Sequence, residues 1–248
     1  MNATVNHFEK DSIGYLEFSH PAGNSLPSAL LKELDVRLGK LSKNDAVKTI
    51  VIQSSGTRAF SGGASLSEMK ELKRFDQAKE FFMGFANLIN SIRLLNKFVV
   101  VRVQGKVVGG AVGLVAACDY AIALDQALIK LSELSIGIGP YVIEPAVSRK
   151  IGTTAFSQLS LNAHQWKSAE WGEQKGLFTT LCKTEEELNF KVNEIASRLA
   201  QYPEKANATL RKLHWKETDH WVDLLPKNAE ITAKLALEKA TQDLLNKL

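Results

Sequence analysis

The sequence predicts a single α/β domain completed by a helical carboxyl-terminal region. Two short, nearly continuous apolar runs, "VKTIVIQS" at 47–54 and "FVVVRVQG" at 98–105, are typical of strands that are buried on both faces. Each run is followed by a glycine-containing turn and then by a helix signal. From about residue 204 onward the apolar spacing is helical. A chain of 248 residues is long enough to bury a substantial core around such a sheet.

The first seventy residues alternate between strand and helix signals. The runs "TVNHF" and "IGYLEF" flank the turn "EKDS" and predict a hairpin. Leucines at helical spacing predict a helix over 28–41, and 47–54 is the next strand. Ser65 followed by Glu68 in "SLSE" predicts a capping box at the start of the following helix.

The rest of the chain continues the same alternation and then becomes helical. A long helix is predicted over about 76–95, with three phenylalanines at 81–85 facing mostly into the core. Strands are expected at 98–105, 120–124, 127–131 and 178–182. An acidic helix start at "TEEE" leads into an amphipathic helix that ends near Tyr202, and the tail is expected to break at Pro226.

Composition narrows the class of protein. The net charge of +4 suits anionic small molecules but is too small and too scattered to indicate nucleic acid. Cys118 and Cys182 fit neither a disulfide framework nor a metal site, and no His, Cys or Asp cluster has metal-ligand spacing, so we expect no metal and a reducing, cytoplasmic setting. No signal core and no run of 18 apolar residues occurs, so we expect no membrane association.

Two glycine-rich turns are the most informative feature. "AFSGGASLSEM" and "QGKVVGGAVGLV" each follow a buried strand and open a helix, where the first N–H groups have no internal partners. Two such ends facing one point would bind a developing negative charge. One turn alone could merely allow tight packing of strand and helix. A dinucleotide fingerprint would need glycine in place of Val108, and no phosphate-binding P-loop motif occurs.

Three segments together resemble the signature blocks of the crotonase superfamily, the enoyl-CoA hydratases and isomerases. They are "AFSGGASLSEM", "VQGKVVGGAVGLVAACDY" and "LSELSIGIGP", in the family's order and spacing. The resemblance implies a crotonase-like spiral of ββα units over 1–190 and a helical trimerisation region over 191–248. It also implies an acyl-CoA thioester as substrate, no separate cofactor, and a homotrimer or a dimer of trimers.

By position, the resemblance assigns the two amides that polarise the thioester carbonyl to the N–H groups of Ala64 and Gly110. It places Ala64 and the three residues after it along the pocket for coenzyme A: Ser65, Leu66 and Ser67. Gly109 gives the acyl group room. The cations after this block, at Lys70, Lys73 and Arg74, are candidates for the phosphates of coenzyme A, although a solvated helix face explains them equally well.

The pattern of acids favours one reaction over another. Family hydratases use two glutamates, and the corresponding positions here are Gly113 and Glu133, so one acid is missing. Moving a double bond from the 3,4 to the 2,3 position needs only one base, which removes a proton from C2 and returns it at C4. A glutamate in an apolar wall is expected to have a raised pKa, which suits a group that must both accept and donate a proton. We therefore predict an enoyl-CoA isomerase with Glu133 as its base.

Four alternatives stay open. Glu144 in "VIEPAV" could supply the lost acid and restore hydration, although it also reads as part of a first helical turn. The protein could instead bind acyl-CoA without catalysis, or carry out other chemistry of the family such as dienoyl isomerisation, thioester hydrolysis or decarboxylation. Glu133 itself could be a solvated strand-end carboxylate. Asp119 matches a family position that we interpret as structural.

Overall fold

Ten strands form two sheets within residues 3–247, the part of the chain that the computed structural model describes. The large sheet has the order β1-β2-β3-β5-β7-β10, and only its β1–β2 hairpin is antiparallel. Its strands are β1 Thr4–Lys10, β2 Ile13–Ser19, β3 Thr49–Ser54, β5 Phe98–Val103, β7 Tyr120–Leu124 and β10 Thr180–Cys182. The small sheet has the order β4-β6-β8-β9. Its strands are β4 Ala59–Ser61, β6 Lys106–Val108, β8 Leu128–Lys130 and β9 Lys167–Ser168.

Eleven helices and one 3₁₀ turn cover the sheets within the described part of the chain. The first six are α1 Ser28–Lys43, α2 Leu66–Glu71, α3 Phe75–Leu94, α4 Gly110–Ala117, α5 Glu144–Ile151 and α6 Thr153–Leu161. The others are α7 Ala169–Gln174, α8 Glu185–Gln201, α9 Glu204–His214, α10 Trp221–Ala236 and α11 Lys239–Leu245. The 3₁₀ turn spans Glu133–Ile136. No helix in 3–247 has the length and hydropathy needed to cross a membrane.

The chain winds as a spiral, and this winding positions the site. Each of three successive turns runs along a strand of the large sheet, then a strand of the small sheet, then a helical segment: β3-β4-α2, β5-β6-α4 and β7-β8 with the 3₁₀ turn. The strands β4, β6 and β8 are mutually parallel neighbours. Their carboxyl ends therefore lie side by side and bring 62–65, 109–110 and 131–133 together. This confirms the ββα spiral that the resemblance implied.

Two cores lie on opposite sides of the large sheet. The main core holds the leucines of α1, the phenylalanines of α3 and the buried face of α4. The second core lies under α8, where Leu188, Val192 and Ala196 pack against side chains such as Val51 and Val100. Successive side chains of a strand point to opposite faces, so strands this apolar need cover on both sides.

The carboxyl-terminal region differs from the sequence prediction at one point. Helix α8 runs through residue 190 and packs on the large sheet. The predicted break at Pro226 is wrong, since this proline lies within α10. Its missing N–H leaves the carbonyl of Val222 unpaired, and Val222 is exposed to water, which makes the loss tolerable. The tail breaks at 215–220.

The predicted capping box is half formed. Ser65 caps α2 by accepting a hydrogen bond from the N–H of Glu68 at 3.3 Å. The Glu68 carboxylate does not return to Ser65. It accepts from the N–H of Ser28 at 2.8 Å and from the Ser28 hydroxyl, and so caps α1. A donor 40 positions away in the sequence cannot be found from local spacing.

Asp119 has the structural role expected of it. Its carboxylate accepts from the N–H of Val99 and from Nε of Arg211, each at 2.8 Å, and from the indole of Trp215 at 3.3 Å. Arg211 is almost fully buried and also donates to the carbonyls of Ile92, Arg93 and Leu95 at the end of α3. This network fastens α9 to the core. The neighbouring Cys118 is a core residue, and burial raises the pKa of its thiol.

Candidate active site

Two backbone amides lie free at the ends of β4 and β6. Ala64 follows the turn at Gly62–Gly63, where Gly63 has a φ of +80° and its carbonyl accepts from the N–H of Leu26 at 2.7 Å. Gly110 is the first residue of α4, whose initial N–H groups lack intrahelical acceptors. Within the described residues, neither the Ala64 nor the Gly110 N–H donates a hydrogen bond. Both are available to a ligand oxygen.

Glycine is required where these two turns and the acid meet. A Cβ on Gly63 would lie 2.5 Å from the carbonyl oxygen of Val108 and 3.5 Å from the Gly110 nitrogen, so the turns are in direct contact. Gly109 has a φ of +55°, and a Cβ there would lie 3.2 Å from Oε1 of Glu133. Gly109, which immediately precedes the amide of Gly110, therefore lies directly against the Glu133 carboxylate.

Glu133 is a buried carboxylate with a free oxygen. It begins the 3₁₀ turn that follows β8 and is only 9% exposed. Its Oε2 is buried and has no hydrogen-bond partner among the described residues. Desolvation disfavours the charged form and raises the pKa of Glu133 from 4.5 to about 7, with its own N–H and that of Ser132 opposing the shift. At neutral pH this group can both accept and donate a proton.

The amides and Glu133 share one cavity of about 130 Å³. Its walls are mostly apolar, and Phe82 and Phe85 from α3 are part of them, as the sequence allowed. Glu133 is the only ionisable side chain among the lining residues that the structure describes. The walls also include Leu66, Val108, Ser132, Ile143 and Thr232.

The position of the missing acid is filled by an isoleucine. Gly113 lies in α4, and a Cβ built on it would be 2.5 Å from Cβ of Ile143 and closer still to its Cγ2. Any side chain at 113 would therefore have to displace Ile143, which also lines the cavity. The absence of a carboxylate here is built into the packing, since an apolar side chain takes its space.

Glu144 lies outside the cavity. It is the first residue of α5, half-buried, and is not among the residues that line the cavity. Its N–H donates to the carbonyl of Pro140 at 2.9 Å, as part of the first helical turn. The second-acid role suggested for Glu144 therefore has no support in this arrangement, because the neighbouring Ile143 faces the cavity instead.

The remaining assigned residues are divided between the cavity and its surroundings. Leu66 contributes to the wall, whereas the buried Ser65 caps α2 and Ser67 is exposed beside it, 3.0 Å from the Ser65 hydroxyl. Among the basic residues that follow, Arg74 forms an ion pair with Asp76. Lys73 donates to the carbonyl of Lys70 at 3.4 Å.

Ile143, Ser132 and Thr232 are cavity residues that sequence reasoning did not select. Ile143 and Ser132 are the neighbours of Glu144 and Glu133, two glutamates that the sequence analysis selected. The sequence therefore identified both segments, but it did not show which of their side chains face the cavity. Thr232 comes from α10 and is 2% exposed. Its hydroxyl donates to the carbonyl of Asn228 at 2.9 Å. Nothing local marks a residue so distant in the chain.

Comparison with known proteins agrees with this geometry. The family model described as enoyl-CoA hydratase/isomerase matches residues 9–244. The chain belongs to the enoyl-CoA hydratase/isomerase family. It is therefore an enzyme of the acyl-CoA class that the three sequence blocks indicated, and the match spans both the spiral core and the helical tail. No group of three or more His, Cys, Asp or Glu side chains within 3–247 is arranged to hold a metal ion.

Individual relatives in the family carry out different reactions. The short-chain-enoyl-CoA hydratase of Clostridium acetobutylicum is 29% identical over 177 residues, which cover 71% of this chain and 67% of that protein. The 4-chlorobenzoyl coenzyme A dehalogenase-2 of Arthrobacter is 27% identical over 205 residues, covering 78% and 71%. The enoyl-CoA hydratase structure from Bacillus halodurans superposes with a TM-score of 0.92 at 20% identity, covering 98% and 99%. That likeness supports the fold alone.

Proposed function

We propose that this protein is an enoyl-CoA isomerase that shifts the double bond of a 3-enoyl-CoA to the 2-position. The observation that carries the proposal is that Glu133 is the only ionisable side chain lining the cavity within the described residues. Double-bond migration needs one group to remove and return a proton, and this cavity offers one.

In the first step, the thioester carbonyl oxygen accepts hydrogen bonds from the N–H groups of Ala64 and Gly110. The ionised Glu133 then removes a proton from C2, and the electron pair moves into a dienolate whose negative charge is on that oxygen. Fixed amides in a low-dielectric site stabilise such a charge without reorganising.

In the second step, the now neutral Glu133 donates its proton to C4. The electron pair of the dienolate closes the double bond between C2 and C3, and the carbonyl is restored. No atom is gained or lost overall, and Glu133 ends as the carboxylate that began the cycle. A pKa near 7 makes the two protonation states nearly equal in free energy at neutral pH, which suits both halves.

Hydration is the second candidate, because curated relatives such as the Clostridium acetobutylicum protein carry hydratase names. Adding water across a double bond is helped by two groups that share the protons of the water molecule. The packing of Ile143 against Gly113 leaves no room for a second carboxylate in α4, and Glu144 lies outside the cavity. These two facts favour isomerisation over hydration.

A pair of assays distinguishes the candidates. The wild-type protein is given 3-hexenoyl-CoA and, separately, crotonyl-CoA, and the conjugated enoyl thioester is followed by its ultraviolet absorbance. We expect 2-hexenoyl-CoA to form, with crotonyl-CoA hydrated at least a hundredfold more slowly. Faster hydration than isomerisation would favour a hydratase. Binding of both esters without any turnover would favour a non-catalytic acyl-CoA-binding protein.

A further inference from the structure

The cavity has an exposed side and a buried side. Gly62 and Leu66, which line it near the amide of Ala64, are exposed to water, Leu66 by 40%. The wall residues from α3, α10 and the segment before α5 are almost fully buried, among them Phe85, Ile143 and Thr232. A thioester held by the amides, with its coenzyme A toward the exposed side, therefore extends its acyl chain toward the buried wall.

Ile143 stands in that wall beside the helix that carries one of the amides. Gly110 and Gly113 are three positions apart in α4 and therefore share a face of the helix. A Cβ on Gly110 would collide with the ring of Phe85, and a Cβ on Gly113 would lie 2.5 Å from Cβ of Ile143. At about 1.5 Å of rise per residue, Ile143 is packed roughly 4.5 Å further along α4 than the amide.

The backbone holds Ile143 in this place. Its Cα would lie only 3.4 Å from a Cβ on Gly113, so the main chain itself is close to α4. Its carbonyl accepts from the N–H of Val147 at 3.0 Å, in the first turn of α5. Branching at Cβ restricts the rotation of the side chain. Ile143 is therefore a fixed boundary that a longer ligand cannot easily push aside.

The volume of the cavity limits what fits in front of this boundary. The volume is about 130 Å³. An apolar cavity of about 150 Å³ engineered in another protein holds one benzene molecule, which has six carbon atoms. On this scale the cavity accommodates an acyl group of about six carbons, including the carbons C1 to C4 that take part in the proposed reaction.

We propose that Ile143 closes the acyl end of the cavity and limits the substrate to short-chain acyl-CoA thioesters. The inference rests on the proposed acyl-CoA function and names the class of acyl group that the site accepts. Because Gly113 has no side chain, the space beside α4 becomes free when the isoleucine is shortened. Ile143→Ala removes three carbon atoms and makes room for about two further methylene groups of an acyl chain.

Calorimetric binding of hexanoyl-CoA and octanoyl-CoA tests this limit without depending on turnover. The quantity compared is the Kd for octanoyl-CoA divided by the Kd for hexanoyl-CoA. We expect the wild type to bind octanoyl-CoA roughly tenfold more weakly, since the added methylene groups find no room. Ile143→Ala should lower the ratio to about one. Ile143→Val removes a single methyl group and should lower the ratio by less.

Two further variants locate the effect. Gly113→Ala in the Ile143→Ala background returns a methyl group to the opened space, and it should restore part of the preference for hexanoyl-CoA. Ile151→Ala makes the same deletion at the other end of α5, at a buried residue that does not line the cavity. This matched control should keep the ratio of the wild type.

Four results would overturn the proposal. Equal affinity of the wild type for the two esters would mean that Ile143 does not close the cavity. An unchanged ratio in both Ile143 variants would mean that another side chain sets the limit. No effect of Gly113→Ala in the Ile143→Ala background would mean that the chain does not enter the space beside α4. An equal shift in Ile151→Ala would mean that the ratio reports loosened packing.

The proposed function can fail separately from this inference. If the ratios follow the expected order but 3-hexenoyl-CoA is not isomerised, the isomerase proposal is wrong and the limit on chain length stands. If the wild type binds neither hexanoyl-CoA nor octanoyl-CoA, both proposals are wrong.

Discussion

At the scale of residues, the chemistry of the site depends on how Glu133 is buried. Its Oε2 has no partner within the described residues, and its pKa is raised to about 7 because the charged form has lost its water. A solvated strand-end carboxylate would instead keep an acidic pKa. Burial in the apolar wall therefore turns an ordinary glutamate into an acid–base group.

The pKa of Glu133 predicts the pH dependence of isomerisation. The free enzyme must hold Glu133 as the carboxylate to remove the C2 proton, and this form is the minority below pH 7. We expect kcat/KM to rise about tenfold per pH unit below the pKa and to level off above about 7. A profile that is flat from pH 5 to 9 would mean that another group, or none, removes the proton.

The contact between Gly113 and Ile143 predicts a coupled effect on stability. Gly113→Ala forces a methyl group into the Ile143 side chain, and overpacking of this kind costs about 1–3 kcal/mol. In an Ile143→Ala background the same change should cost close to nothing, since the space is open. Urea denaturation gives the free energy of unfolding of the wild type, the two single variants and the double variant, which together form a double-mutant cycle. An equal cost in both backgrounds would mean that the two residues are not coupled.

At the scale of elements, the carboxyl-terminal helices reach the site through their packing on α3. Trp221 of α10 accepts from Asn90 through its carbonyl at 3.5 Å, and Glu230 pairs with Lys79 at 2.7 Å. This docking brings Thr232 to the cavity wall. Asp119 and Arg211 hold the preceding helix, α9, against the end of α3.

Loss of Asp119 should therefore destabilise the fold strongly. Asp119→Ala leaves the Arg211 guanidinium buried without its anion, and breaking one partner of a buried ion pair costs about 3–5 kcal/mol. Chemical denaturation measures the free energy of unfolding. The exposed Asp125, at the end of β7, is a matched control, and Asp125→Ala should stay within about 0.5 kcal/mol of the wild type. A similar small effect for Asp119→Ala would contradict the role of the network.

At the scale of the whole molecule, periodicity and turn chemistry in the sequence predicted most of the elements. The hairpin, α1 and α3 followed from local patterns, whereas the two amides of the site were assigned by position from the family resemblance. What local patterns missed depends on distant contacts: the capping of α1 by Glu68, Thr232 in the cavity wall, and Ile143 in place of an acid. Each is decided by packing between segments far apart in sequence.

Assembly also belongs to this scale. The resemblance carried by the three sequence blocks implies a homotrimer or a dimer of trimers. We therefore expect a mass three or six times 27.3 kDa by light scattering. A monomer of that mass at micromolar concentration would contradict the expected trimer.

The central claim is that one carboxylate moves the proton in both steps, and Glu133→Gln tests it most directly. The amide has the same shape but cannot accept the C2 proton. We predict that kcat for isomerisation of 3-hexenoyl-CoA falls by roughly 10²–10⁴-fold, the usual worth of a general base, while calorimetric affinity for butyryl-CoA is kept. Undiminished isomerisation by Glu133→Gln would contradict the account.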